Sequence, residues 1–159
     1  MKSITLTVNG ISKTLTVEPR RLLADVLRHE FGCYGVHFGC SHGACGCCTV
    51  HVNGEPRLSC LAFAAQCDGM DIVTIEGMAS GDSLHPLQQA FIAEHGLQCG
   101  YCTPGFIMAL APFLDRATEP TDEEIRQAMS GNICRCTGYH SIVASVRRAI
   151  AERKKAANA

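Results

Sequence analysis

Eleven cysteines in 159 residues limit what this chain can fold into more than any other feature, and their spacing limits it further. They are Cys33, Cys40, Cys45, Cys47, Cys48, Cys60, Cys67, Cys99, Cys102, Cys134 and Cys136. A disulfide scaffold suits small secreted chains with an even cysteine count. Here the count is odd, and the opening MKSITLTVNG alternates apolar and polar residues where an export signal would run apolar. Metal-binding thiolates account for the pattern better, in a protein expected to be cytoplasmic. The formal charge of −1 provides no basic face for a nucleic acid, and every apolar run is too short to span a membrane.

The apolar periodicity changes halfway along. Ile4, Leu6 and Val8 alternate with polar residues up to Asn9-Gly10, and Leu15 and Val17 alternate beyond it, which predicts a hairpin with a primed turn. Thr49–Val52, Asn53-Gly54 and 56–60 repeat the pattern, and a short strand is predicted over 72–75. Leu22, Leu23, Val26 and Leu27 mark one face of a helix over 21–30. Residues 77–82, small and polar, read as a linker.

Helical spacing follows. Leu84, Leu87, Ala90 and Phe91 define one face, and Phe106, Leu110 and Phe113–Leu114 the next, with Pro104 at a first-turn position. Thr121 followed by Asp122-Glu123-Glu124 is a cap with an acidic first turn, and Ile142, Val146 and Ile150 mark a last helix before a charged, frayed tail from Glu152. The fold class is therefore α+β: a β-rich domain over 1–77 and a helical domain over 78–159. Domains of that size have thin cores and usually need a staple.

CSHGACGCC, residues 40–48, places Cys40, Cys45 and Cys48 in the C-x4-C-x2-C spacing of plant-type [2Fe–2S] ferredoxins. Cys60 is the best fourth ligand, because the Asn53-Gly54 hairpin folds the chain back toward the loop. A loop wrapped around an anionic cluster must point N–H groups inward, and Gly39, Gly43 and Gly46 sit where freedom from a Cβ is useful. Tetrahedral zinc also takes four cysteines, but usually from paired short knuckles. The second set, Cys99-x2-Cys102 and Cys134-x-Cys136, leaves zinc a serious competitor on spacing alone. Both pairs precede helix starts, where the dipole favours negative charge. Cys33, Cys47 and Cys67 read as ordinary buried thiols.

GCSHGACGCCTV, LQCGYCTPG and GNICRCTGYHSIV, in that order, resemble the small iron–sulfur subunit of the molybdenum hydroxylases. That family includes the xanthine dehydrogenases, aldehyde oxidoreductases and carbon monoxide dehydrogenases. The resemblance runs from the first hairpin to about Arg148; Cys47 stands where the family usually has Ala, and His37 where Lys is frequent. It implies an N-terminal β-grasp ferredoxin-like domain followed by a C-terminal four-helix bundle. It also implies two [2Fe–2S] clusters, one on Cys40, Cys45, Cys48 and Cys60 nearer flavin, the other on Cys99, Cys102, Cys134 and Cys136 nearer molybdenum. Cys136 would lie against the pterin, with Gln98 either beside it or capping within the bundle.

The implied function is one-electron relay from a molybdenum–pterin centre on a large partner to FAD on a medium partner. No side chain of this chain would act in substrate catalysis. The assembly would be a heterotrimer, alone or doubled, with Tyr101, Phe106 and Tyr139 as surface candidates for the molybdenum-chain contact. No glycine-rich dinucleotide fingerprint is present, so flavin and pterin belong on other chains. A free-standing two-cluster ferredoxin and a structural zinc module are the alternatives. Of the seven histidines, His29, His51 and His95 read as solvent-facing or locally satisfied, and His42 as a loop residue rather than a Rieske-type ligand. Arg135 reads as facing a partner.

Overall fold

In the computed structural model, which describes residues 1–157, two Asn-Gly turns organise the first half of the chain. Asn9 and Gly10 have φ of 50° and 80°, and Asn53 and Gly54 have 50° and 82°. A primed two-residue turn requires positive φ at both places and matches the twist of its strands. Strand β1 (Lys2–Val8) therefore pairs antiparallel with β2 (Ile11–Val17), and β3 (Thr49–Val52) with β4 (Glu55–Leu58). The short β5 (Asp71–Val73) joins the hairpins: Ile72 lies opposite Val8 in a parallel pairing and opposite Val52 in an antiparallel one. The sheet order is β2-β1-β5-β3-β4. Ile4, Leu6 and Val8 face the core, and helix α1 (Leu23–Glu30) packs Leu23, Val26 and Leu27 onto them. Each such side chain taken from water contributes about 1.5–3 kcal/mol.

Two predicted strands are shorter than their sequence pattern. β4 stops at Leu58, because the Ser59 hydroxyl and N–H both donate to the Cys48 carbonyl (2.7 and 3.2 Å) and turn the chain. β5 gives way to a 3-10 turn over Ile75–Gly77.

Four helices follow: α2 (Pro86–Ala93), α3 (Thr103–Arg116), α4 (Asp122–Ala128) and α5 (His140–Ala157). Helix α2 starts after Leu84, which is exposed, because His85 takes the cap position. Its Nδ1 accepts from Leu87 N–H at 3.2 Å while the Gln88 side chain accepts from His85 N–H at 2.9 Å. Thr121 and Glu124 form the same reciprocal box on α4, as the sequence indicates.

Helix α5 runs through the stretch expected to fray. The Arg153 guanidinium donates to the Leu114 and Ala117 carbonyls at the end of α3, which have no helical donors of their own, and Lys154 pairs with Glu119 at 2.6 Å. Asn158 and Ala159, the rest of that tail, lie outside the described residues.

The buried residues form two cores. One, between sheet and α1, contains Cys48 and Cys60; the other, among α2–α5, contains Cys102, Cys134 and, from the first half, Cys47. Phe106, expected at the surface, is fully buried in the second core, edge-on to Tyr139 with ring centroids 6.2 Å apart. Among the described residues no helix is long and apolar enough to cross a membrane.

Candidate metal centres

All eleven cysteines are free of disulfides. In the 40–48 loop, main-chain N–H groups converge on sulfur. The N–H of His42 is the largest influence on the Cys40 thiol, joined by those of Cys45 and Ala44, the last at 3.2 Å; together they lower it to about 6. A thiolate, not a thiol, is the form that N–H donors stabilise and metals bind. The loop turns sharply at Gly43 (φ +85°) and Gly46 (φ +75°), conformations costly for residues with a Cβ. Gly39 is needed for space instead: a Cβ there would lie 2.7 Å from Cys45 Sγ. His42 turns its Nδ1 onto the Cys40 carbonyl at 2.7 Å.

The thiols meet in pairs. Cys40 and Cys45 lie within hydrogen-bonding reach, as do Cys48 and Cys60, brought together by the Ser59 turn. Burial pushes Cys48 up to about 11. Cys47 is also raised, by burial first and then by the Cys45 thiol, to about 12. Proton affinity therefore does not separate Cys47 from its neighbour; position does, since its thiol adjoins Cys45, which already has Cys40 beside it. Cys33 and Cys67 are buried and raised by that burial.

The second set repeats the arrangement. Cys102 is the cap residue of α3 and pairs with Cys134 in the interior, and burial pushes Cys102 up to about 12. At Cys134 burial also pushes upward, but the Thr137 hydroxyl (3.1 Å) and N–H (3.4 Å) outweigh it and hold the thiol below its usual value. Cys99 and Cys136 form an exposed pair with sulfurs 3.5 Å apart, and Gln98 is exposed beside them. The Cys99 thiol raises that of Cys136. Tyr139 is half-buried, its hydroxyl accepting from Cys134 N–H at 3.0 Å. Thr103 Oγ1, next to Cys102, is the one buried side-chain polar atom without a partner among the described residues. A hydroxyl left unpaired in such a place suits an added acceptor, such as a sulfide.

The two sets are joined by contacts with no signal in the local sequence. Ile133 N–H donates to the Cys45 carbonyl at 3.0 Å, and Asn132 Nδ2 donates to the Gly46 carbonyl at 3.2 Å. Gly105 on α3 lies against the Gly46–Cys47 main chain with no room for a side chain. His37 stacks on Tyr101 with centroids 4.4 Å apart, and the Tyr101 hydroxyl donates to the Phe38 carbonyl at 2.9 Å. Tyr101, read from sequence as a partner contact, thus spends its hydroxyl and one ring face inside the chain while remaining half exposed. His51 is not locally satisfied either: its Nε2 lies 2.7 Å from the carbonyl of Met108.

The donor set fits two dinuclear iron–sulfide groups. Each iron of such a group takes two thiolates, which is the observed pairing, whereas tetrahedral zinc draws four ligands to one point. Among the described residues no three His, Cys, Asp or Glu side chains converge in that way.

Comparison with known proteins gives the same picture. Residues 21–93 match the family described as "2Fe-2S iron-sulfur cluster binding domain", and residues 74–147 match "[2Fe-2S] binding domain". The chain is 48% identical over 148 residues to the nicotinate dehydrogenase small FeS subunit of Eubacterium barkeri, covering 93% of this chain and 94% of that one. It is similar to a chain in the crystal structure of quinoline 2-oxidoreductase from Pseudomonas putida 86, with a TM-score of 0.91 and 42% identity over 98% of this chain and 96% of that one. Aldehyde oxidoreductase from Desulfovibrio gigas contains a similar region, with a TM-score of 0.89 and 40% identity; this chain covers 18% of that longer polypeptide.

Proposed function

Since the chain belongs to the iron–sulfur small subunits of the molybdenum hydroxylases, we propose that it relays electrons between a molybdenum–pterin partner and an FAD partner. It is an electron-transfer subunit of an oxidoreductase and carries two [2Fe–2S] clusters. When bound, each cluster takes up and releases one electron at a time. The thiols of Cys40, Cys45, Cys48 and Cys60 hold one, and those of Cys99, Cys102, Cys134 and Cys136 the other. The main-chain N–H groups around Cys40 and the Thr137 donors at Cys134 stabilise negative charge on sulfur, which tunes potential. Burial of Cys48, Cys60, Cys102 and Cys134 keeps water from the inner thiols, while Cys99 and Cys136 mark the edge where an electron enters.

The observation that carries this reading is the hydrogen bond from Ile133 N–H to the Cys45 carbonyl. Ile133 is bonded to Cys134, so one main-chain bridge links a ligand of each set, with a single non-covalent step. In the same proposal, residues 1–77 form a β-grasp ferredoxin-like domain and 78–159 a four-helix cluster-binding domain. Cys136 and Gln98 face the pterin of the large chain, the cluster on Cys40, Cys45, Cys48 and Cys60 lies nearer the medium FAD chain, and the complex is a heterotrimer, alone or doubled. Eleven cysteines without a disulfide support a reducing, cytoplasmic setting.

The test is purification of the native complex, followed by metal analysis and EPR of the dithionite-reduced protein. Two distinct [2Fe–2S] signals, with molybdenum and flavin on co-purifying chains, are expected. A colourless protein, or a lone monomer carrying both clusters, would refute the subunit reading.

A further inference from the structure

Helix α3 carries Pro112 in its interior. Proline has no N–H to offer the carbonyl four residues earlier, so the carbonyl of Met108, a fully buried residue, lacks its α-helical donor. A donor comes from the other half of the chain: His51 Nε2 is 2.7 Å from that oxygen. A carbonyl only accepts, so the ring proton in this contact sits on Nε2. His51 is held on β3 between β4 and β5, opposite Pro56 on one side and Val73 on the other. The sheet fixes where the ring can reach.

Both ends of the contact lead to thiols. Strand β3 begins one residue after Cys48, and α3 begins one residue after Cys102. At its first turn α3 is already held by the approach of Gly105 to Gly46 and Cys47. The His51 bond adds a polar contact between α3 and β3 one turn further along. We propose that His51 is a positioning residue for electron transfer between the two cysteine sets: it fills the donor gap that Pro112 opens at Met108 and so locks α3 against β3. The inference rests on the relay reading above and adds to it a further contact that helps to hold the two centres at a constant separation.

The test uses the full chain carrying both clusters, with variants His51→Leu, His51→Gln, Pro112→Ala and the double variant His51→Leu/Pro112→Ala. Two reduced clusters split each other's EPR lines, and the splitting falls as the cube of their separation. Losing the donor to a buried carbonyl lowers the thermal midpoint by about 3–6 °C in a chain of this size. His51→Leu shows that loss together with a broadened or diminished splitting, at unchanged iron content. His51→Gln, which offers an amide N–H at similar reach, retains both properties. In the Pro112→Ala background the restored main-chain N–H serves Met108, and the leucine substitution moves the midpoint by less than a third as much.

Equal midpoint losses in the two backgrounds, or a leucine variant with unaltered splitting, would overturn the proposal. Should His51→Leu fail to fold, recovery of folding in the double variant supports the pin and continued failure refutes it. A wild-type chain without any cluster signal removes the relay reading instead, and the unfolding comparison still decides the pin.

Discussion

Replacing Gly105 by alanine sets two physical effects against each other, and the structure says which wins. Inside a helix alanine is preferred to glycine by about 1 kcal/mol, so propensity alone makes Gly105→Ala stabilising. A Cβ at this position, however, would lie 2.8 Å from Cys47 Cα and 3.0 Å from the Gly46 carbonyl carbon, and closer still to the Gly46 oxygen. Carbon atoms rest about 3.5–4.0 Å apart, so α3 and the loop must part by about 1 Å. All three obstructing atoms are main chain, so no side chain can swing aside. That main chain is also anchored, since the Gly46 carbonyl accepts from Thr49 N–H, the Thr49 hydroxyl and Asn132 Nδ2.

Overpacking of this kind costs about 1–3 kcal/mol. Weakening the bonds from Asn132 and Ile133 adds about 1 kcal/mol each. Against the propensity gain, the net is about 2–4 kcal/mol of destabilisation, or about 5–15 °C in thermal midpoint. The assay is thermal unfolding of the cluster-loaded chain, followed by far-UV circular dichroism and by visible absorbance. Gly131→Ala is the control: its Cβ would meet nothing within 4 Å, and it should change stability by no more than about 0.5 kcal/mol. A Gly105→Ala chain as stable as wild type, or more so, would show that the approach of α3 to the loop is not tight and would refute the reasoning.

Three further outcomes are expected. Cys47→Ala keeps about four irons per chain and Cys48→Ala about two, because only Cys48 has an unshared partner thiol in Cys60; iron analysis with EPR decides, and an intact first signal in Cys48→Ala would contradict the ligand assignment. Burial holds the pKa of His85 below its ordinary 6.5, with Asp115 opposing and His51 reinforcing that shift, so the stability it contributes as a neutral cap is present above 6.5 and is lost as pH falls through the lower folded value. His85→Asn, which caps without titrating, should flatten the acid side of the stability profile measured by urea unfolding. Arg153→Met should release the end of α5 from the Leu114 and Ala117 carbonyls, raising amide hydrogen exchange over 152–157 several-fold while leaving 142–150 protected.

How much of this was legible beforehand depended on how far along the chain each signal acts. The hairpin at Asn9-Gly10 was readable because two adjacent residues supply the positive φ its turn requires. The start of α4 was readable because Thr121 and Glu124 satisfy each other's main chain three residues apart. The apolar period, followed through Leu84, places the start of α2 too early, although His85, Pro86 and Gln88 spell out a cap. Phe106 reads from sequence as a surface residue, although it is fully buried, because a helical period reports that a face is apolar without saying what covers it.

By itself the amino-acid order determined the eight candidate thiols, the turns that bend the chain between them, and the change from strand to helix period near the middle. These depend on forces acting over a few residues, which leave their mark in spacing and composition. Only the tertiary structure decided that the thiols meet as four pairs, that Ile133 touches Cys45, and that His51 answers the missing N–H of Pro112. Those contacts join residues 88 and 57 positions apart, as far as the numbering from 45 to 133 and from 51 to 108. No local pattern encodes such a distance, because the partner's position is set by how two cores pack and not by what lies next along the chain.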